Sequence, residues 1–117
     1  HAVFSKLRRG GYDLEYELDL HQKTVKEAQQ AVFQLFQKAR TKNWRCVLIS
    51  HGKGERSTTP GRLKSYVARW LIDHPDVIAY CSAQRNRGGV GSVYVLIRKS
   101  VAGKAANRER FGLKGEP

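Results

Sequence analysis

Two short stretches of this 117-residue chain carry side chains that could act on a phosphate ester. One is Asp19-Leu20-His21. The other is His51-Gly52-Lys53-Gly54. On an extended chain, residues two apart share a face, so Asp19 and His21 lie together. A carboxylate beside an imidazole favours the imidazolium and can fix its orientation. Glycines that follow a strand let main-chain N–H groups approach a phosphate closely, and Lys53 adds charge. The spacing is not that of a nucleotide-binding P-loop, which needs Gly-x-x-x-x-Gly-Lys-Ser/Thr. Further cations stand at Arg56, Arg62, Arg85 and Arg87, the last two in the turn Arg85-Asn86-Arg87-Gly88-Gly89. Taken singly, each feature also fits a solvated strand face, a glycine turn or a hairpin tip.

The elements between these stretches decide whether they meet. Tyr16 to Leu20 alternates apolar and acidic residues, the period of a half-buried strand, which puts Leu18 and Leu20 in the core and Glu17, Asp19 and His21 on the other face. Thr24-x-x-Glu27 is a capping box that predicts a helix from Val25, fading near Thr41 to Asn43, with Val25, Ala28, Val32, Leu35, Phe36 and Ala39 as its apolar stripe. Cys46 to Ile49 is a short apolar run, expected to be a strand inside a sheet. A second helix is expected from Thr59-Pro60 to His74-Pro75, with Leu63, Val67, Trp70 and Leu71 inward. Val77 to Ala83 and Ser92 to Ile97 read as strands joined in a hairpin. The order β-α-β-α-β-β predicts an α/β two-layer sandwich: a four-stranded mixed sheet, two helices on one face, the other face partly open. Parallel strands would bring their carboxyl ends to one edge, where open α/β sheets place ligands. Asp19, His21, His51 and the Arg85–Gly89 turn are then neighbours. Trp44 and Trp70 are expected to pack rather than stack on bases, and His74 to end a helix. Residues 1–14 read as a basic arm interrupted at Gly10-Gly11, residues 15–99 as the domain, and residues 100–117 as a basic tail, expected to be poorly ordered.

The net charge of +12 speaks to partners rather than to fold. Residues 1–11 carry +3 and residues 98–117 carry +4, which leaves +5 on the stretch between them. Nucleic acid is the partner that best uses such an excess. A membrane partner is not expected, because no segment joins a large apolar face to a basic one and no apolar run approaches the roughly 20 residues of a membrane span. No signal-peptide pattern is visible, and the opening His1 suggests a piece of a longer polypeptide. Cys46 and Cys81 match no zinc spacing and read as free thiols of a cytoplasmic protein.

Together, Leu18-Asp19-Leu20-His21, the amphipathic helix after it and the strand ending in His51-Gly52-Lys53-Gly54 resemble the Smr (small MutS-related) domain. Leu7-Arg8-Arg9-Gly10, Pro75-x-Val77 and Gly88-Gly89 are similar to bacterial stand-alone Smr proteins, and the resemblance covers about residues 6–99. It implies a sandwich like the C-terminal domain of translation initiation factor 3. It also implies an endonuclease that nicks DNA or cleaves messenger RNA on stalled ribosomes. Asp19, His21 and His51 carry over as cleavage residues, and Gly52 and Gly54 as cleavage or grip. Gln22 stands where the family usually has glycine.

The expectation is therefore a phosphodiester endonuclease with catalytic Asp19, His21 and His51. Gly52, Lys53, Gly54, Arg56, Arg62, Arg85 and Arg87 would hold the nucleic acid, DNA or RNA. No built-in cofactor is expected, since one carboxylate is too few to hold Mg2+ without substrate help. The ribosome is an additional expected partner, and a monomer the expected state. A non-catalytic module that binds nucleic acid or the ribosome uses the same basic residues and stands as the alternative.

Overall fold

Four strands form one mixed sheet in the order β1-β2-β4-β3. A computed structural model describes residues 2–52 and 61–99. Lys53, Gly54, Arg56, the expected helix start at Thr59-Pro60 and the tail from residue 100 lie outside the described residues. Strand β1 (Tyr16–Asp19) pairs parallel with β2 (Cys46–Ser50). Strand β4 (Ser92–Ile97) pairs antiparallel with β2 and with β3 (Val77–Ser82). Strands β1, β2 and β3 therefore all run the same way, and their carboxyl ends share one edge.

Helix α1 spans Ala2–Arg8, α2 spans Val25–Lys42 and α3 spans Arg62–Asp73. The α2 start is set as the sequence predicts. Thr24 Oγ1 accepts from the Glu27 N–H at 3.1 Å, and Glu27 Oε1 accepts from the Thr24 N–H at 2.9 Å. Asn43 ends α2 in the left-handed conformation, φ 55°, and His74 caps the end of α3.

The main core lies between the sheet and helices α2 and α3. Leu20, Val32, Leu35, Phe36, Val47, Ile49, Val67, Leu71 and Val95 are buried there. Trp44 stacks on Tyr16 at 4.5 Å, and Trp44 and Trp70 both pack against this core while staying partly exposed. His74 stacks on Phe36 at 4.0 Å.

The expected sandwich is present, and its second face is partly open as expected: Glu17 and Asp19 of β1 are exposed there, while the part formed by β2 and β4 is covered. Leu7 of α1 is buried on that face with Cys46, Leu48, Tyr94 and Leu96, and Val3, Tyr12 and Leu14 pack around it. Residues 1–14, read from sequence as a basic arm, thus include a packed helix. The physical reason is apolar demand: β2 and β4 bury both of their faces, so something must cover the second one. Val3 and Leu7, four residues apart, supply a one-sided helix for it.

Candidate active site at the carboxyl edge of the sheet

Strand register fixes a row across the sheet edge. Asp19 pairs with Ser50, Ser50 pairs with Ser92, and the Ala83 N–H bonds the Ser92 carbonyl at 3.0 Å. By the alternation of each strand, Asp19, Ser50 and Ser92 lie on the α1 side, opposite Leu18, Ile49 and Val93. The Ser50 and Ser92 hydroxyls are 2.9 Å apart. Gly88, at φ 106°, closes over this pair: a Cβ there would fall 2.1 Å from Ser92 Oγ.

The two histidines extend from this row. The Leu20 N–H donates to the Ser50 carbonyl at 2.8 Å, so His21 and His51 each follow directly on a bonded pair of strand ends. Neighbouring strands there lie about 5 Å apart. Asp19 Oδ1 accepts from the His21 main-chain N–H at 2.8 Å. Asp19 therefore orients His21 through its backbone, not through the ring contact the sequence suggests. The turn this bond stabilises holds Gln22 at φ 64°. That is a glycine-favouring conformation, and it gives the departure from the family pattern a physical meaning.

His51 is buried, with 8% of its surface exposed. Its Nδ1 lies 2.7 Å from the Gly52 carbonyl, which can only accept, so Nδ1 carries the hydrogen and a neutral ring keeps an acceptor at Nε2. Burial pushes the His51 pKa below the ordinary imidazole value. The Gly52 carbonyl pulls the other way, and the nearby Lys64 charge adds to the lowering. The lowered pKa favours the neutral ring, and the Nδ1–H tautomer leaves Nε2 as the nitrogen that can take up a proton, as a general base must. His21 is exposed.

The hairpin turn comes to the same place. The Gly91 carbonyl accepts from the N–H groups of both His51 and Gly52, each at 3.0 Å. Arg85–Arg87 and Gly89–Gly91 form two short 3-10 turns, and Arg85 and Arg87 are exposed. Gly10 joins from the α1 side, where a Cβ would meet the Gln84 side chain at 2.7 Å and Tyr94 Oη at 3.1 Å. Arg8 and Arg9, exposed beside it, add charge at this end.

The structure thus brings Asp19, His21, His51, Gly52, Arg85 and Arg87 to one edge. Arg62 lies at the start of α3, the element that follows that edge. Lys64, Ser50, Ser92 and the Arg8-Arg9 pair complete the surroundings and were not singled out by sequence. Only Arg8-Arg9 carried a signal, as part of a motif; the serines meet through register, and Lys64 through the placement of α3. Among the described residues, no group of three or more His, Cys, Asp or Glu is arranged to hold a metal ion. Neither thiol joins the site: Cys46 is free and buried, and burial pushes its pKa up to about 11. No described helix is long and apolar enough to cross a membrane.

The chain is similar to known proteins over most of its length. The profile of the Smr domain matches residues 18–98. A protein of Escherichia coli K12 named probable DNA endonuclease SmrA is 42% identical over 111 residues, covering 94% of this chain and 59% of that protein. Ribosome rescue factor SmrB of Tolumonas auensis is 35% identical over 96 residues, covering 82% of this chain and 52% of its own length. The chain thus spans little more than half the length of these relatives. The crystal structure of YdaL, a stand-alone small MutS-related protein from Escherichia coli, superposes with a TM-score of 0.74 at 43% identity, covering 85% of this chain and 76% of that one. The Smr domain of Thermus thermophilus MutS2 gives 0.64 at 30% identity, covering 71% and 98%.

Proposed function

Because the chain belongs to the Smr domain family, we propose that it is a nucleic-acid endonuclease working at the carboxyl edge of its sheet. The observation that carries this reading is the pair of 3.0 Å bonds from the His51 and Gly52 N–H groups to Gly91. They hold the His51–Gly52 backbone against the turn that carries Arg85 and Arg87, one strand away from His21. On RNA, His51 Nε2 takes the proton of the 2′-hydroxyl and the oxygen attacks the adjacent phosphorus. His21 returns a proton to the leaving 5′-oxygen. Arg85, Arg87 and Lys64 offset the charge that builds on the phosphoryl oxygens, and Lys53 and Arg56 join them by sequence position. The products are a 2′,3′-cyclic phosphate and a 5′-hydroxyl. On DNA a water would have to replace the 2′-hydroxyl; Asp19 would hold a Mg2+ ion brought by the substrate, which would supply the activation of that water.

The names of the relatives support both substrates, DNA for one and the ribosome for the other. A cytoplasmic site of action follows from that reading. One observation favours the alternative of a non-catalytic binding module: the Asp19 carboxylate bonds main chain rather than an imidazole. The deciding experiment incubates the purified chain with matched RNA and DNA, with and without EDTA, and identifies the product ends. Cyclic phosphate ends formed in EDTA support the histidine mechanism. Intact strands under every condition, with binding retained, support the module.

A further inference from the structure

Helix α3 carries a second set of groups that the phosphodiester site does not use. Val67 and Leu71, each 1% exposed, already supply its buried stripe. Beside that stripe, Arg62, Tyr66 and Trp70 recur every four residues and form one row of neighbouring flat groups. The Arg62 guanidinium lies 5.8 Å from the Tyr66 ring centre. The Tyr66 and Trp70 rings are 5.9 Å apart and inclined by 34°. Tyr66 is 37% exposed. From Arg62 to Trp70 the row is about 12 Å long.

Its two ends have meaning. The Arg62 end is the first turn of α3, where Lys64 lies within electrostatic reach of His51. At the other end Trp70 helps line a cavity of about 490 Å³ between α2 and α3, together with Gln29, Phe33 and Phe36. Phe33 is 62% exposed there. A flat cation on an aromatic, continued by a second aromatic, is the surface that stacks unpaired bases. A duplex keeps its base faces within its own stack and offers this row nothing but its backbone.

We propose that the Arg62–Tyr66–Trp70 row of α3 is a stacking platform for a single-stranded segment leading away from the cleaved phosphodiester. The proposal rests on the endonuclease reading and adds a preference for unpaired over paired nucleic acid. It does not depend on base identity, since every base has a face to stack.

The test measures binding of a labelled single-stranded oligonucleotide and of its duplex by fluorescence anisotropy, in a His21→Ala background that leaves the strands uncut. Tyr66→Ala should weaken single-strand binding by roughly five- to a hundredfold. Duplex binding should hardly change, and Tyr66→Phe should behave as the parent. A second readout is Trp70 fluorescence in a Trp44→Phe protein, which keeps an aromatic partner for Tyr16. Single strands should quench it and duplex should not. Single-strand affinity unmoved by Tyr66→Ala overturns the platform, and so does an equal loss for both substrates. If Arg85→Glu/Arg87→Glu still abolishes binding in that case, the endonuclease reading survives alone. A parent protein that binds neither substrate sinks both.

Discussion

Replacing Gly88 with alanine tests how tightly the hairpin turn is fitted to the site. At φ 106° an L-residue is strained, and the new methyl would fall 2.1 Å from Ser92 Oγ and 2.9 Å from Ser92 Cβ. Ser92 cannot swing aside freely, because its hydroxyl is bonded to Ser50 and the residue is 4% exposed. Gly89 is the internal control: its φ of 54° is also left-handed, but a methyl there meets nothing within 4 Å. Left-handed backbone costs a side chain about 1–2 kcal/mol, and the stiffer unfolded chain returns about 0.4–1 kcal/mol. Gly89→Ala should therefore lose about 1 kcal/mol or less. Gly88→Ala adds an overpacking cost of about 1–3 kcal/mol and should lose about 2–4 kcal/mol in all. Urea unfolding reads the difference as a midpoint shift of roughly 1–2 M. Adding Ser92→Gly removes both clashing atoms and should show a favourable coupling with Gly88→Ala of about 1 kcal/mol or more in a double-mutant cycle. The displaced turn carries the Gly91 carbonyl that holds His51, so cleavage should fall with stability. Equal losses for Gly88→Ala and Gly89→Ala would refute the proposed packing.

Gln22→Gly relieves a left-handed residue at φ 64°; stability should rise by about 1 kcal/mol, read as a melting temperature several degrees higher. Burial lowers the pKa of His51 and of His74. The unfolded imidazoles therefore take up protons below about pH 6.5 that the folded ones refuse, and stability should fall between pH 7 and pH 5, measured by urea unfolding at each pH. For the same reason, the acid limb of the RNA cleavage rate should lie below the ordinary imidazole range, and a limb at or above it would argue against His51 as the base.

Much of this was legible in the sequence because it is local. The capping box at Thr24 and Glu27, the apolar stripe of α2 and the bounds of β4 each depend on a few neighbouring residues. The common edge was legible too, because three strands running one way deliver Asp19, His51 and Arg85 to it. What escaped depends on partners distant in the chain. Helix α1 carries a short signal, Val3 and Leu7, and its stronger clue lies elsewhere: Cys46 and Leu48 of β2, with Tyr94 and Leu96 of β4, needed a cover that α2 and α3 could not give. The Ser50–Ser92 pair exists only once the register of β2 and β4 is known. Asp19 bonds the His21 main chain because the chain leaves the strand in a turn at that point, which period-two alternation does not foresee.

The central claim is that His51 acts as a base on a bound phosphodiester. Single-turnover cleavage of one RNA linkage by His51→Ala, with affinity measured separately, tests it most directly. The rate should drop by roughly a hundredfold or more while binding is retained, with the parent leaving a 2′,3′-cyclic phosphate. Parental cleavage by His51→Ala would contradict the account.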